Sequence, residues 1–99
     1  MTEIGAGGVR ISGFYFTSRF RRERRKLDPM LRERLDAKLK DLLRDPMPPG
    51  LRFEKLKGHH NPDIYTFHVT GNYKVSLEIR GDLAILRRVA CHDEIDRKP

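Results

Sequence analysis

The sequence has a single cysteine and no long apolar segment. These two features argue against a disulfide-bonded protein and against a membrane-spanning protein. Cys91 is the only cysteine, so the chain cannot form an internal disulfide, and we expect a reducing, cytoplasmic compartment. We interpret Cys91 as a small buried thiol at a strand end rather than as a nucleophile. No apolar run is long enough to cross a membrane, so we expect neither a transmembrane helix nor a membrane partner.

Length and composition fit one small domain. The 99 residues, 37% hydrophobic and 35% charged, suffice for one modest core and leave no room for a second. The first residues lack the basic and apolar regions of a signal peptide. We therefore interpret residues 1–10 as a flexible leader and residues 11–97 as a single domain.

Positive charge is concentrated in one short stretch of the chain. The net charge is +7, and residues 19–26 carry six basic side chains against one acidic side chain. Residues 45–99 are nearly balanced, with nine bases and eight acids. A block of this kind raises the local concentration of polyanions and speeds their capture. It is compatible with RNA, DNA or an acidic partner protein, and also with a solvated helix face that only maintains solubility.

The pattern of the first half predicts one strand and two helices. Residues 11–18 are rich in aromatic side chains that fall on both alternating sets, which indicates an opening strand, and the basic block that follows has an apolar stripe at helical spacing. Asp28 and Pro29 form a helix start signal, an N-cap acid before a proline. Leucines then recur at helical spacing as far as Leu43, and the proline-rich segment 46–50 ends the helix.

The second half predicts extended structure and small turns. The segments with strand character are 51–57, 64–69, 73–80 and 83–90. Residues 70–72 and 81–82 have the composition of tight turns. Two helices followed by an antiparallel meander, with one earlier strand, make an α+β fold in which helices cover one face of a sheet.

The phase of these strands predicts a polar face on the sheet. If the apolar residues of each strand pack against the leucine helix, their alternating neighbours must project from the opposite side. The residues in that phase are Arg52, Glu54, His68 and Lys74. We therefore expect a charged cleft wall on the face that the helices leave open.

A carboxylate and two imidazoles on such a face suit cleavage of RNA without a metal. The 2′-hydroxyl of RNA attacks the adjacent phosphorus, so the protein must supply a base, an acid and cations, and base and acid each contribute about 10²–10⁴-fold. In this interpretation Glu54 is the base, His92 is the acid, and His68 is a catalytic residue that contacts the phosphate as a cation. The phosphate-binding residues are Arg52, Lys55, Lys57, Lys74 and Arg88.

Each of these side chains also has an ordinary structural interpretation. His92 follows a strand and can cap a turn, His68 can be a hydrogen-bonded sheet residue, and Glu54 can be an edge carboxylate. His59 and His60 are expected in an exposed loop. The histidines and acids lack the ligand spacing of zinc sites, so we expect no metal and no other cofactor. The sequence also lacks a phosphate-binding glycine loop and a nucleophile elbow.

Several segments, in this order, resemble the RelE/ParE toxin superfamily. They are Phe-Thr-Ser-Arg-Phe at 16–20, Leu-Arg-Asp-Pro at 43–46, Glu-Lys-Leu-Lys-Gly at 54–58, Tyr-Thr-Phe-His-Val-Thr-Gly-Asn-Tyr-Lys-Val-Ser at 65–76 and Leu-Arg-Arg-Val-Ala-Cys-His-Asp-Glu-Ile at 86–95. The resemblance implies two N-terminal helices packed on a curved antiparallel sheet of four to five strands, with mRNA bound in the concave face.

The resemblance also implies roles for particular residues. YoeB-like toxins place a glutamate base in the segment that matches Glu54 and a histidine acid at the position of His92, whereas YafQ-like toxins have a histidine at the position of His68. RelE-like members rely on basic residues, for which the candidates here are Lys55, Lys57 and Arg88. The sequence departs from the pattern at 93–95, where Asp-Glu-Ile replaces the tyrosine or phenylalanine of many relatives.

The function that this resemblance implies is a type II toxin that cleaves mRNA on the ribosome. The expected partners are a cognate antitoxin protein, the ribosome and mRNA. Because the superfamily also contains gyrase poisons, the alternative is a ParE-type toxin that binds DNA gyrase without nuclease activity, and the residues at 54, 68 and 92 argue against it. An inert RNA- or protein-binding relative is a third interpretation.

Overall fold

A five-stranded sheet forms the centre of the computed structural model, which describes residues 9–99. The elements in chain order are β1 (Gly13–Phe16), α1 (Ser18–Lys26), α2 (Pro29–Leu42), a 3₁₀ turn (Pro49–Leu51), β2 (Glu54–Lys55), β3 (Tyr65–His68), β4 (Tyr73–Arg80), β5 (Leu83–Cys91) and α3 (His92–Arg97). Most of the predicted leader, residues 1–8, lies outside the described residues. Within residues 9–99, no helix is long and apolar enough to cross a membrane.

The two longer helices begin where the sequence provides capping groups. The Thr17 hydroxyl accepts a hydrogen bond from the Phe20 N–H, and the Asp28 carboxylate accepts one from the Leu31 N–H at 2.9 Å. These side chains satisfy N–H groups that have no partner within the first turn of a helix. On the buried side of the helices, Phe20, Leu35 and Leu42 have no solvent exposure and belong to the main core. The predicted leucine helix is confirmed.

The sheet has the strand order β1-β5-β4-β3-β2. The pairs from β2 to β5 are antiparallel, as predicted, and residues 81–82 form the tight turn between β4 and β5. In contrast, β1 pairs with β5 in parallel, with Gly13 opposite Leu83, so the sheet is mixed rather than wholly antiparallel. Most of the chain separates β1 from β5, and therefore no local pattern could determine their relative direction. The α+β class, with two helices on one face, is confirmed.

Three local features differ from the predictions. The predicted strand over 51–57 is a 3₁₀ turn followed by the two-residue strand β2, because Pro49 begins a turn that ends with Arg52 in the left-handed region. The sequence pattern did not predict α3, whose six residues are too few to show helical periodicity. Cys91 is exposed rather than buried, since it is the N-cap residue of α3.

Candidate functional site

Cross-strand pairing puts three of the predicted residues on one face of the sheet. Glu54 is opposite Thr66, and His68 is opposite Lys74. Paired residues project to the same side, and Thr66 and His68, two positions apart on β3, also share a side. Phe67, between them, is fully buried in the main core under the helices. Glu54, His68 and Lys74 thus have the predicted phase, but Arg52 lies outside the strands and Lys74 is buried rather than part of an open wall.

Two histidines meet at one end of this face. The ring centroids of His68 and His92 are 6.1 Å apart, with an angle of 50° between the rings. His68 is the last residue of β3, and His92 is the first residue of α3. The His92 N–H donates to the Asn72 carbonyl at 2.6 Å, which fixes the start of α3 against the turn between β3 and β4. Both side chains are partly exposed, so both rings are accessible to one phosphodiester.

The surroundings of His68 favour its neutral form. Burial lowers the pKa of His68 below its ordinary value of 6.5, and the nearby charges of Arg52 and Lys74 lower it further. A backbone hydrogen bond with Thr70 acts in the opposite direction. Since both main causes penalise the protonated ring, the neutral imidazole predominates at neutral pH. This direction argues against the cationic phosphate contact expected from the sequence, and it favours a proton acceptor.

Arg52 brings an exposed guanidinium to the same site. It ends the 3₁₀ turn with φ 54° and ψ 47°, a left-handed conformation that costs roughly 1–2 kcal/mol for a residue with a side chain. The Arg52 N–H still donates to the Pro49 carbonyl at 3.0 Å. This turn places the charge of Arg52 close enough to lower the pKa of His68. Arg52 therefore remains a candidate for binding phosphate next to the histidines.

Lys74 and Arg88, which the sequence predicts as phosphate-binding residues, are both buried in ion pairs. Each side chain is 5% exposed. Lys74 Nζ lies 2.8 Å from Asp96 Oδ1, and the Arg88 guanidinium donates to the carboxylates of Glu23 and Glu94. A phosphate could reach either cation only if these ion pairs opened. The geometry therefore supports a structural role for both residues, and phosphate binding by them stays a prediction.

Of the two lysines after Glu54, Lys55 lies on the side of the sheet opposite to the histidine pair. Lys55 is opposite Tyr65, a core residue, so its side chain lies on the helix-covered side of the sheet. Its Nζ pairs with Asp63 at 3.2 Å. Lys57 is exposed in the turn that follows β2. The structure thus assembles Arg52, Glu54 and the histidines, but it does not bring Lys55 to them.

One residue that the sequence analysis missed lies directly beside His92. Asp96 Oδ2 is 3.5 Å from His92 Nδ1, and Asp93 Oδ1 is 3.3 Å from the same nitrogen. The available signal was the pair of acids that follows His92, because acidic residues are common in the first turn of a helix. A helix that begins at His92 places residue 96 on the same side one turn later.

This arrangement provides for proton transfer and anion binding. Two imidazoles can exchange protons with a bound substrate, Arg52 supplies an exposed positive charge, and Glu54 supplies an exposed carboxylate. Among residues 9–99, no group of three or more His, Cys, Asp or Glu side chains is arranged to hold a metal ion.

Comparison with solved structures identifies the fold. A chain of the RelB–RelE antitoxin–toxin complex from Methanococcus jannaschii is 28% identical, with a TM-score of 0.65 over 85% of this chain and 98% of that chain. A chain of the DinJ–YafQ toxin–antitoxin complex from E. coli is 12% identical, with a TM-score of 0.69 over 88% and 98%. A copper-bound mutant toxin from Helicobacter pylori is 18% identical, with a TM-score of 0.59 over 84% and 97%. No protein-family model matches the sequence, and no curated protein matches it either.

The fold defined by these likenesses is that of the toxins of type II toxin–antitoxin systems. The resemblance to RelE-superfamily toxins that the sequence predicts is confirmed, since the chain has the fold of these toxins.

Proposed function

We propose that this protein is the toxin of a type II toxin–antitoxin system and cleaves mRNA on the ribosome without a metal. The observation that supports this proposal is the pair of His68 and His92 rings, 6.1 Å apart on the polar face, with the charge of Arg52 beside them. Two of the similar structures are complexes of a toxin with its antitoxin, RelB–RelE and DinJ–YafQ. A cognate antitoxin is accordingly the proposed protein partner, and the ribosome and mRNA are the proposed targets.

The proposed reaction uses the RNA's own 2′-hydroxyl as the nucleophile. Neutral His68 accepts the hydroxyl proton, the 2′-oxygen bonds to phosphorus, and the bond from phosphorus to the 5′-oxygen breaks. His92 donates a proton to the departing 5′-oxygen, which leaves a 2′,3′-cyclic phosphate and a 5′-hydroxyl. Each proton transfer contributes about 10²–10⁴-fold. Arg52 stabilises the negative charge that develops on the phosphate oxygens.

Glu54, the base predicted from the sequence, is the alternative proton acceptor. It lies diagonally across from His68 on the adjacent strand, a relationship that separates Cα atoms by roughly 7–8 Å. Its exposed carboxylate can reach the same substrate. We favour His68 because its lowered pKa keeps it ready to accept a proton and because it faces His92 directly.

The first test is the substitution His92→Ala. Loss of the proton donor should lower cleavage by about 10²-fold or more. The measurement is primer extension on a message translated in the presence of purified protein, with and without ribosomes. His60→Ala is the matched control, because His60 is 74% exposed in the loop between β2 and β3, and it should retain full cleavage.

The same assay identifies the proton acceptor and tests the mechanism. We expect His68→Ala to lower cleavage by about 10²-fold and Glu54→Gln to lower it by less than about tenfold. The reverse order would assign the base to Glu54. A message with a 2′-deoxy nucleotide at the cut site should resist cleavage.

If wild-type protein cuts no message and its expression stops DNA replication before protein synthesis, the gyrase-directed alternative replaces this proposal.

A further inference from the structure

We propose that Asp96 is a positioning residue that connects Lys74 to His92 and sets the tautomer of the His92 ring. The consequence for cleavage rests on the proposed function. The tautomer itself is a property of the folded protein and can be measured without any substrate.

The two oxygens of the Asp96 carboxylate serve different partners. Oδ1 accepts a hydrogen bond from Lys74 Nζ at 2.8 Å, and Oδ2 lies 3.5 Å from His92 Nδ1. An ionised carboxylate only accepts hydrogen bonds, so it requires a proton on the nitrogen that faces it. His92 should therefore carry its proton on Nδ1 when neutral, and this leaves Nε2 to face a substrate.

Asp93 Oδ1 lies closer to Nδ1, at 3.3 Å and within hydrogen-bond geometry, but Asp93 is poorly suited to hold the ring. Its side chain is 91% exposed, whereas the side chain of Asp96 is 36% exposed. An exposed carboxylate loses side-chain entropy when it adopts one geometry, and water competes for its oxygens. Asp96 is already fixed by its bond to a buried ammonium group, so little further ordering is needed for it to hold His92.

Lys74 explains why Asp96 is fixed. The Lys74 side chain is 5% exposed, and a buried cation is strongly unfavourable without a counter-charge. Lys74 is also the cross-strand partner of His68, and its charge contributes to the lowered pKa of that histidine. The Lys74–Asp96 pair therefore acts on both histidines: its positive charge helps to lower the pKa of His68, and its carboxylate lies beside His92.

The test is Asp96→Asn, which changes one oxygen into an NH₂ group with almost no change in size. Because Lys74 can only donate, it should retain the amide oxygen, so the NH₂ group must turn toward His92. An NH₂ group requires an acceptor at Nδ1, and the proton of the neutral ring should move to Nε2. Long-range ¹H–¹⁵N NMR of the imidazole, recorded above the titration of the ring, distinguishes the two tautomers directly.

Two further variants keep this test informative. Asp93→Asn makes the same chemical change on the exposed carboxylate and should leave the Nδ1-protonated tautomer in place. In the double variant Lys74→Met/Asp96→Asn, the lysine no longer donates a hydrogen bond to the amide oxygen. The amide can then rotate so that its oxygen accepts from His92, and Nδ1 should regain its proton. The double variant also removes the buried charge, and it covers the case in which Asp96→Asn alone does not fold.

Cleavage provides the second measurement. Asp96→Asn should lower kcat by at least about tenfold and leave KM unchanged, because Asp96 does not contact the substrate. The loss should stay below the about 10⁴-fold known for the same exchange in hydrolases with a carboxylate–imidazole pair. An unchanged tautomer in Asp96→Asn, or a tautomer that changes in Asp93→Asn, would overturn the proposal. If the tautomer shifts as expected but wild-type protein cuts no RNA, only the proposed function fails.

Discussion

Burial separates the charged side chains of the polar face into two groups. Lys74 and Arg88 are buried and paired with carboxylates, so their charges stabilise the attachment of α3 to the sheet. Arg52 and Glu54 are exposed and can contact a substrate. The alternation of residues along the strands predicts which side chains share a face. It could not predict which cations are neutralised, because Asp96 comes from an element that the pattern does not show.

At the scale of the residue, His68 should make the fold sensitive to acid. Its pKa in the folded protein is lower than in the unfolded chain, where it is about 6.5. Above pH 6.5 both states are neutral and His68 has no effect. As the pH falls through about 6.5 toward the lower folded-state pKa, the unfolded chain binds the proton first and stability is lost.

Urea unfolding of wild-type protein and of His68→Gln, at about pH 7.5 and about pH 5, measures this effect. The wild-type protein should lose more of its unfolding free energy between the two pH values than the variant does. His60→Gln removes an exposed histidine and should behave like wild type. Equal losses in wild type and His68→Gln would show that burial does not perturb this ring.

At the scale of the element, length decided what could be predicted from the sequence. The 14 residues of α2 and the eight of β4 repeat their pattern often enough to be recognised, whereas the six of α3 and the two of β2 do not. Ion pairs with residues of the sheet hold α3 in place instead: Glu94 pairs with Arg88 on β5, and Asp96 pairs with Lys74 on β4. The sequence pattern singled out His92 as a candidate, but it did not predict the helix that orients it.

Glu23 is the residue that joins α1 to this part of the molecule. Its carboxylate accepts hydrogen bonds from the Arg88 guanidinium and, at 3.1 Å, from the Val89 N–H of β5. Glu23→Ala would leave the buried guanidinium with only the partly exposed Glu94 carboxylate and the Lys98 carbonyl, and it would remove the side-chain acceptor of the Val89 N–H. We expect the free energy of unfolding to fall by about 3–5 kcal/mol.

Urea denaturation measures that loss, with Glu33→Ala as the matched control. Glu33 is exposed on α2, and its truncation should change the unfolding free energy by no more than about 0.5 kcal/mol. Equal stability of the two variants would show that the contacts between α1, β5 and α3 contribute little to the fold.

At the scale of the whole molecule, the basic block that would attract RNA and the histidines proposed to cleave it lie on different elements. The basic block lies on α1, and three of its arginines are engaged: Arg19 pairs with Glu23, Arg24 pairs with Asp36 on α2, and Arg21 lies over the Phe16 ring at 5.7 Å. Arg22 and Arg25 are exposed, and within residues 9–99 neither forms an ion pair. The charge count predicted a polyanion-binding region, but the contacts that occupy part of the block could be known only from the fold.

The exposed arginines of α1 should therefore contribute to RNA affinity through counterion release. For single-stranded nucleic acid, each phosphate contact adds about 0.7 to the slope of log K against log salt concentration. If both side chains contact phosphate, Arg22→Gln/Arg25→Gln should lower that slope by roughly 1.4 for a 2′-O-methylated RNA oligonucleotide, which binds but cannot be cut. Fluorescence anisotropy over a salt series provides the measurement.

Net charge alone would also weaken binding, and a second double variant separates the two causes. Lys40→Gln/Arg44→Gln removes the same two charges from the exposed C-terminal end of α2 and the residues after it. Because exposed charges farther than about 8–10 Å from a phosphate are largely screened at physiological salt, the α2 variant should keep nearly the wild-type slope. Equal slopes for the two variants would mean that RNA responds to the overall charge, and α1 would then have no special part in capturing it.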